Sequence, residues 1–252
     1  MLRKIEEMFG FTVRGRDEDV GRIHDFYFDS QNWTIRYIVV ETGPWLFGER
    51  VLLAPRALQR LEWDEERVSV ALTQRQIEEA PNADLAQPVS EQQLREMHTY
   101  YGWPWWGGAL LQSGPAYLPM PLPAPALAEE EGEEEQRDRP YLRSSREVIG
   151  YRIHALDGDI GHTTDLLATP ADWIIRYLLV DTRRWLPGRE VIVSPMWVED
   201  IRWLEGKIYV DLYKESVKNS PEYDFNQPIS TAYEKRLHHH YNRTGYWTGT
   251  DV

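Results

Sequence analysis

The sequence predicts a mainly β protein made of two copies of one small antiparallel fold, a barrel or a sandwich. Short helices follow each copy, and a Pro-rich acidic linker joins them. Three observations predict this. Residues 37–55, YIVVETGPWLFGERVLLAP, return as YLLVDTRRWLPGREVIVSP at residues 177–195. Around both stretches, short segments alternate apolar and polar residues with the period of a half-buried strand. Between the copies the composition changes abruptly to Pro and Gly, then to Glu.

The offset of the repeat is constant, so no gap is needed. Gly21 matches Gly161, Asp25 matches Asp165, Trp33 matches Trp173 and Arg36 matches Arg176. Downstream, Trp63 matches Trp203, Pro81 matches Pro221, Asp84 matches Asp224, Ser90 matches Ser230 and His98 matches His238. A unit this long exceeds a solenoid repeat of about 20–50 residues and is a whole small domain. The predicted division is residues 1–106 for the first copy, 107–145 for the linker and 146–252 for the second copy. Residues 129–139 hold Glu129, Glu130, Glu131, Glu133, Glu134, Glu135 and Asp138 against Arg137 and Arg139. Such a segment buries too little apolar surface to offset chain entropy, which predicts an extended or disordered linker.

The elements of one copy follow in order. FTVRG is a first strand, and Asp17 and Asp19 mark its turn; the second copy has LDGDIG, where Asp157-Gly158 is a tight-turn signal. VGRIHDFYFD is a long second strand. WTIRYIVVE is a third, expected to place Ile35, Tyr37 and Val39 on one face and Arg36, Ile38 and Val40 on the other. After a turn around Pro44 and Gly48 come RVLLAP, LQRLEWD and RVSVALT, making about six short antiparallel strands, the density of a small barrel or sandwich. Thr73 with Gln76 forms a capping box for a short helix that stops before Pro81, and Ser90 with Gln93 forms another. Leu94, Met97, His98 and Tyr101 then share one helical face, and Ser230 starts the matching helix of the second copy.

Composition narrows the function. With no Cys, disulfides and thiolate chemistry are excluded. No apolar run reaches the ~20 residues of a spanning helix, and the first ten residues lack a signal-peptide core, which predicts a soluble cytoplasmic protein. A net charge of −13 disfavours nucleic acid and anionic lipid as partners. G-x-S-x-G, G-x-x-x-x-G-K and H-E-x-x-H are all missing from the sequence, so a non-enzymatic protein without a cofactor is expected. His238-His239-His240 lies inside the repeat, and only His238 has a His counterpart, so packing is preferred to metal binding.

V-G-R-I-H-D, I-R-Y-I-V-V-E-T-G, L-L-A-P and A-P-N-A-D, with the second copy's K-N-S-P-E-Y-D and Q-P-I-S, resemble the PRC-barrel family. That family is named for the cytoplasmic domain of the photosynthetic reaction-centre H subunit and has a related barrel in the ribosome-maturation protein RimM. The tail MHTYYGWPWW resembles bacterial PRC-barrel proteins. The resemblance implies two PRC-type barrels used for protein–protein contact, a bacterial setting and a stress-related role, with no shared catalytic constellation. It makes an unknown protein the expected partner and leaves a homo-oligomer open. Two further readings stand beside it: a small-ligand or enzymatic site between the barrels, and a membrane-peripheral protein using the Trp-rich tail.

Residues present in both copies are structural or belong to a site used twice. Asp25 with Arg36, and Asp165 with Arg176, recur as a charged pair, expected to be a structural ion pair across one hairpin. Trp45 and Trp185 sit in a turn, where each can anchor a partner or fold back to plug the barrel end. Trp103, Trp105 and Trp106 cluster after the helix as a partner patch or as a tail packed on its own barrel. His24, His154 and His162 occur in one copy only, so a catalytic His would belong to a single barrel.

Overall fold

The computed structural model describes residues 1–43, 49–81, 91–104, 142–182, 189–223 and 229–249. The first half contains β1 (Arg3–Lys4), β2 (Thr12–Arg14), β3 (Asp19–Asp29), β4 (Thr34–Thr42), β5 (Arg50–Leu53), β6 (Leu58–Glu62) and β7 (Arg67–Val70), then α1 (Gln74–Glu78) and α2 (Glu91–Tyr101). The second half contains β8 (Leu142–Ser144), α3 (Ser145–Val148), β9 (Arg152–Ala155), β10 (Gly158–Thr169), β11 (Ile174–Asp181), β12 (Glu190–Val193), β13 (Val198–Arg202) and β14 (Lys207–Val210), then α4 (Lys214–Lys218) and α5 (Thr231–His240). The fold is mainly β, and β2 to β7 and their counterparts β9 to β14 lie where the alternation places them. The Thr73–Gln76 capping box forms as the sequence specifies, and Ser230 caps α5 through the Tyr233 N–H.

The ladders of the two halves repeat at the sequence offset. Asp25 faces Val39 and Asp165 faces Leu179; Tyr27 faces Tyr37 and Leu167 faces Tyr177. Within each half one pair departs from the antiparallel expectation: β2 runs parallel to β7, and β9 to β14. The cause is the corner after β5. A 3-10 turn at Pro55–Ala57 bends the strand without reversing it, so β5 and β6 run in the same direction; Pro195–Trp197 does the same for β12 and β13. The half-sheet order is β6-β7-β2-β3-β4-β5, so its two edges are parts of one bent strand. Among the described residues no β5–β6 ladder closes the ring; the covalent chain joins the edges.

The two half-sheets are joined to each other. β4 pairs with β11 at Thr34 and Ile174, with Ile35 N donating to Trp173 O (2.7 Å) and Ile175 N donating to Trp33 O (2.8 Å). One 14-stranded sheet results. The halves also exchange their N-terminal arms: β1 adds to β10, with Arg3 facing Ala168, and β8 adds to β3, with Arg143 facing Phe28. Strand length explains this. β3 has 11 residues and β2 only 3, so residues 27–29 overhang β2 with an edge that needs hydrogen bonds. Residues 142–145, assigned to the linker by composition, belong to this arm because LRS pairs with the overhang and Ser144 caps α3. The rest of the expected linker, 107–141, lies outside the described residues.

One apolar core spans both halves and includes Met8 and Ile5 of the first arm, Val148 of the second, Phe26, Phe28, Ile175 and Leu178. A second cluster under α2 joins Tyr37, Val39 and Leu52 to Leu94 and Met97. Ile35 sits with Ile38 and Val40 in the main core, whereas Tyr37 and Val39 face α2. Simple alternation fails here because Arg36 is the extra residue of a β-bulge: Tyr27 faces Tyr37, and the next pair is Phe28 with Ile35. Arg176 is the extra residue of the equivalent bulge.

Candidate functional site

The recurring charged residues do not pair as the sequence suggested. The bulge turns Arg36 toward the hairpin loop, where its Nη2 lies 3.1 Å from Oδ2 of Asp29. Arg176 pairs with Asp172. The acid therefore comes from different positions: Asp29 corresponds to Thr169, and Asp172 to Asn32. Asn32 instead donates its side-chain amide to Asp29 (2.9 Å). Asp25 and Asp165 point elsewhere, toward the exchanged arms. Asp25 accepts from Phe26 N (2.7 Å), Ser145 Oγ (2.7 Å), Ser144 Oγ (2.5 Å) and Arg146 N (3.2 Å). Asp165 has Lys4, Ile5 and Glu6 at the matching arm positions and, among the described residues, accepts from Leu166 N and Glu6 N. Its Oδ2 is buried with no hydrogen-bond partner among the described residues. Burial pushes its carboxyl up to about 6.

The repeated His docks each C-terminal helix on its half-sheet. His98 Nε2 lies 2.6 Å from Tyr37 Oη, and its Nδ1 faces the Pro104 carbonyl at 3.0 Å. His238 Nε2 lies 3.1 Å from Tyr177 Oη, and its Nδ1 faces the Thr244 carbonyl at 3.1 Å. Burial lowers the pKa of both imidazoles. His240 turns away to the Ser216 carbonyl, so these two His residues serve different contacts. Trp103 is half-buried and stacks on Tyr101 (4.3 Å) and against His98 (5.8 Å), the geometry of a tail held on its own helix. Trp45, Trp185, Trp105 and Trp106 lie outside the described residues.

Two features were missed at the sequence level. The first is a cleft of about 540 Å³ where the 30–33 loop of the first half meets β11, the Pro195–Trp197 corner and β13 of the second. Trp33, Ile175 and Trp203 give it apolar walls, and Asn32, Arg176 and Asp200 give it polar ones. Tyr246 also lines it, with the Arg176 guanidinium 4.1 Å from the centre of its ring. The Tyr246 hydroxyl donates to Glu234 (2.8 Å), a carboxylate 5% exposed that also accepts from Tyr177 (3.0 Å). In the first copy Leu94 stands at the Glu234 position and Trp106 at the Tyr246 position. Most matched positions differ between the halves, so the sequence alone did not mark this acid.

The second missed feature is a set of exposed apolar side chains in the second half. Leu156, Met196, Leu204 and Tyr213 are 48%, 63%, 105% and 59% exposed. Their first-half counterparts are Arg16, Arg56, Asp64 and Thr73, so the fold does not require apolar side chains there. Leu156 and Tyr213 are neighbours, because Leu156 N donates to the Leu212 carbonyl and Lys214 N to Asp157. Among the described residues no helix is long and apolar enough to cross a membrane.

No curated protein matches the chain. The model of one family does match, and it takes in the first arm, β2 to β6 and the start of β7, the strands that build the curled half-sheet. A PRC-barrel domain therefore occupies residues 2–68.

Proposed function

We propose that the second half is a second PRC-type barrel and that the tandem acts as a non-enzymatic protein-interaction module whose partner binds the second copy. The observation that carries this reading is the set Leu156, Met196, Leu204 and Tyr213. Each is exposed, and each replaces a polar residue of the first copy. An apolar side chain on a position that the fold fills elsewhere with Arg, Asp or Thr is not needed by the fold and is free to meet a partner, and Leu156 with Tyr213 form a neighbouring pair of this kind. The test restores the first-copy chemistry with Leu156→Arg, Met196→Arg, Leu204→Asp and Tyr213→Thr in one chain. A protein captured from the native cell by the wild-type chain should be lost on this variant and retained when Arg16, Arg56, Asp64 and Thr73 are changed to Ala. Equal capture by all three would overturn the assignment. A stress-related role adds the expectation that a strain lacking the protein grows normally until stressed; indifference to stress would remove it.

A small-ligand reading is favoured by one specific observation. The cleft lies at the junction of the copies and touches Tyr246, whose hydroxyl reaches a buried acid present in one copy only. A metabolite that raises the melting temperature of the wild type, but not of Tyr246→Ala, would move the function to the cleft.

A further inference from the structure

The second half carries one ionisable group too many for a packing role alone. Glu234 Oε1 accepts from Tyr246 and Tyr177, and the same Tyr177 hydroxyl lies within reach of His238 Nε2. The Thr244 carbonyl opposite Nδ1 has no proton to give, so Nδ1 carries the imidazole hydrogen. In the neutral ring Nε2 is then a bare acceptor. The Tyr177 hydroxyl has a single hydrogen and two acceptors, Glu234 Oε1 and His238 Nε2. The network is one proton short of satisfying every contact its heavy atoms already make.

We propose that His238, Tyr177 and Glu234 form a buried proton-binding site whose carboxylate is replaced by Leu94 at the matching position of the first half. One proton from solvent adds to His238 Nε2, which then donates to the Tyr177 oxygen. The Tyr177 O–H is not broken; it donates to Glu234 and no longer has to serve His238. The product is an imidazolium–phenol–carboxylate chain with an opposite charge at each end. No heavy atom has to move, so α5 stays docked when the proton enters.

The charged and titratable groups around His238 fit this account. From α5 comes Glu234; from β11 come Tyr177 and, over the Tyr246 ring, Arg176 with its partner Asp172; from the tail come Tyr246 and the Thr244 carbonyl. The rings of Trp197 and Trp247 cover the remaining sides at 5.3 and 4.9 Å. Glu234 is the anion closest along the hydrogen bonds, and its charge favours the imidazolium against the burial that disfavours it. In the first half, Leu94 removes the carboxylate while the His98–Tyr37 contact is kept. Tyr246 also lines the cleft, so the proton site and the cleft share a residue.

The test is an NMR titration of the histidine rings in the full chain. His238 in the wild type should bind its proton at least about tenfold more tightly, one pH unit, than in Glu234→Gln, with His98 unchanged. Glu234→Leu should act in the same direction. If that variant does not fold, Glu234→Gln decides alone, because it keeps an acceptor oxygen and removes only the charge. In a Tyr177→Phe background the effect of Glu234→Gln should shrink to less than about threefold, because the connecting hydroxyl is gone. A His238 titration indifferent to Glu234→Gln would overturn the site. An undiminished effect in Tyr177→Phe would overturn the role of the phenol.

Discussion

At the scale of single residues, the two halves serve as an internal control on charge. The bulged arginines keep their place in both halves, but each finds its acid at a different position of the same hairpin. Asp29 is 7% exposed at its side chain and Asp172 is 40% exposed, so the two pairs differ in worth. Arg36→Ala leaves a buried carboxylate with the Asn32 amide and the Gln31 N–H as remaining donors, and should cost about 3 kcal/mol, the low end for a broken buried pair. Arg176→Ala leaves a carboxylate that water can reach and loses contact with Tyr246; about 1 kcal/mol is expected. Denaturant unfolding of the full chain compares the two, and an equal loss would contradict the difference in burial. Asp165 gives a pH signature. Its folded pKa of about 6 lies above the ordinary 3.8, so between these values the folded chain holds a proton that the unfolded chain has released. The favourable contribution is complete below 3.8 and is lost as pH rises through 6, a change of order 3 kcal/mol at about 1.4 kcal/mol per unit. Asp165→Asn should gain stability relative to wild type as pH rises through this window. A pH-independent difference in midpoint would show that the carboxyl ionises freely in the fold.

At the scale of elements, what was legible followed from local chemistry. Period-two patterning located β2 to β7, and side-chain caps located α1 and the start of α5, because both signals depend only on neighbours in sequence. The bulges were not legible. An extra residue looks like uninterrupted strand, yet it moved Arg36 out of the alternation and away from Asp25. The parallel β2–β7 pair was hidden for the same reason: APRA reads as a turn, and only the tertiary path shows a bend that preserves direction. The matched pair Gly21 and Gly161 was legible as a repeat but unexplained until the sheet was seen. A Cβ on Gly21 would lie 2.1 Å from the Glu41 carbonyl oxygen, and on Gly161 1.9 Å from that of Asp181. Both obstacles are backbone in the adjoining strand, so neither can swing aside. Gly21→Ala should therefore cost more than about 3 kcal/mol, beyond the usual range for an added methyl, with Gly161→Ala at least as severe because its φ is also positive. Thermal melts read this directly; a loss below about 1 kcal/mol would mean that the strands separate easily at these glycines.

At the scale of the whole molecule, the sequence left open whether the two copies pack on each other, and the structure joins them in one sheet and one core. The packing was not legible for a physical reason. Repeat identity reports that two segments share a fold, and is silent on which copy of an arm fills which groove. Here the residue-2 start of the matched domain includes the first arm, yet Arg3 and Lys4 lie on β10 of the other half. Arm β8 lies on β3 in return, and Ile5, Met8 and Val148 are fully buried in the shared core. Each half alone would leave an overhang unpaired and expose its own arm, so the stable unit is the pair. Two consequences follow. Calorimetry of the intact chain should show one cooperative transition, since a single core does not melt by halves. Cutting the chain at a protease site introduced within residues 110–139 should leave both fragments together on size exclusion, at the elution volume of the uncut protein. The contacts that hold them are two added strands, the Thr34–Ile174 junction and apolar side chains from both arms, and none depends on the linker. Fragments that separate at micromolar concentration, each still folded by its β-sheet dichroism, would show instead that each half satisfies its own overhang and that the exchange is dispensable.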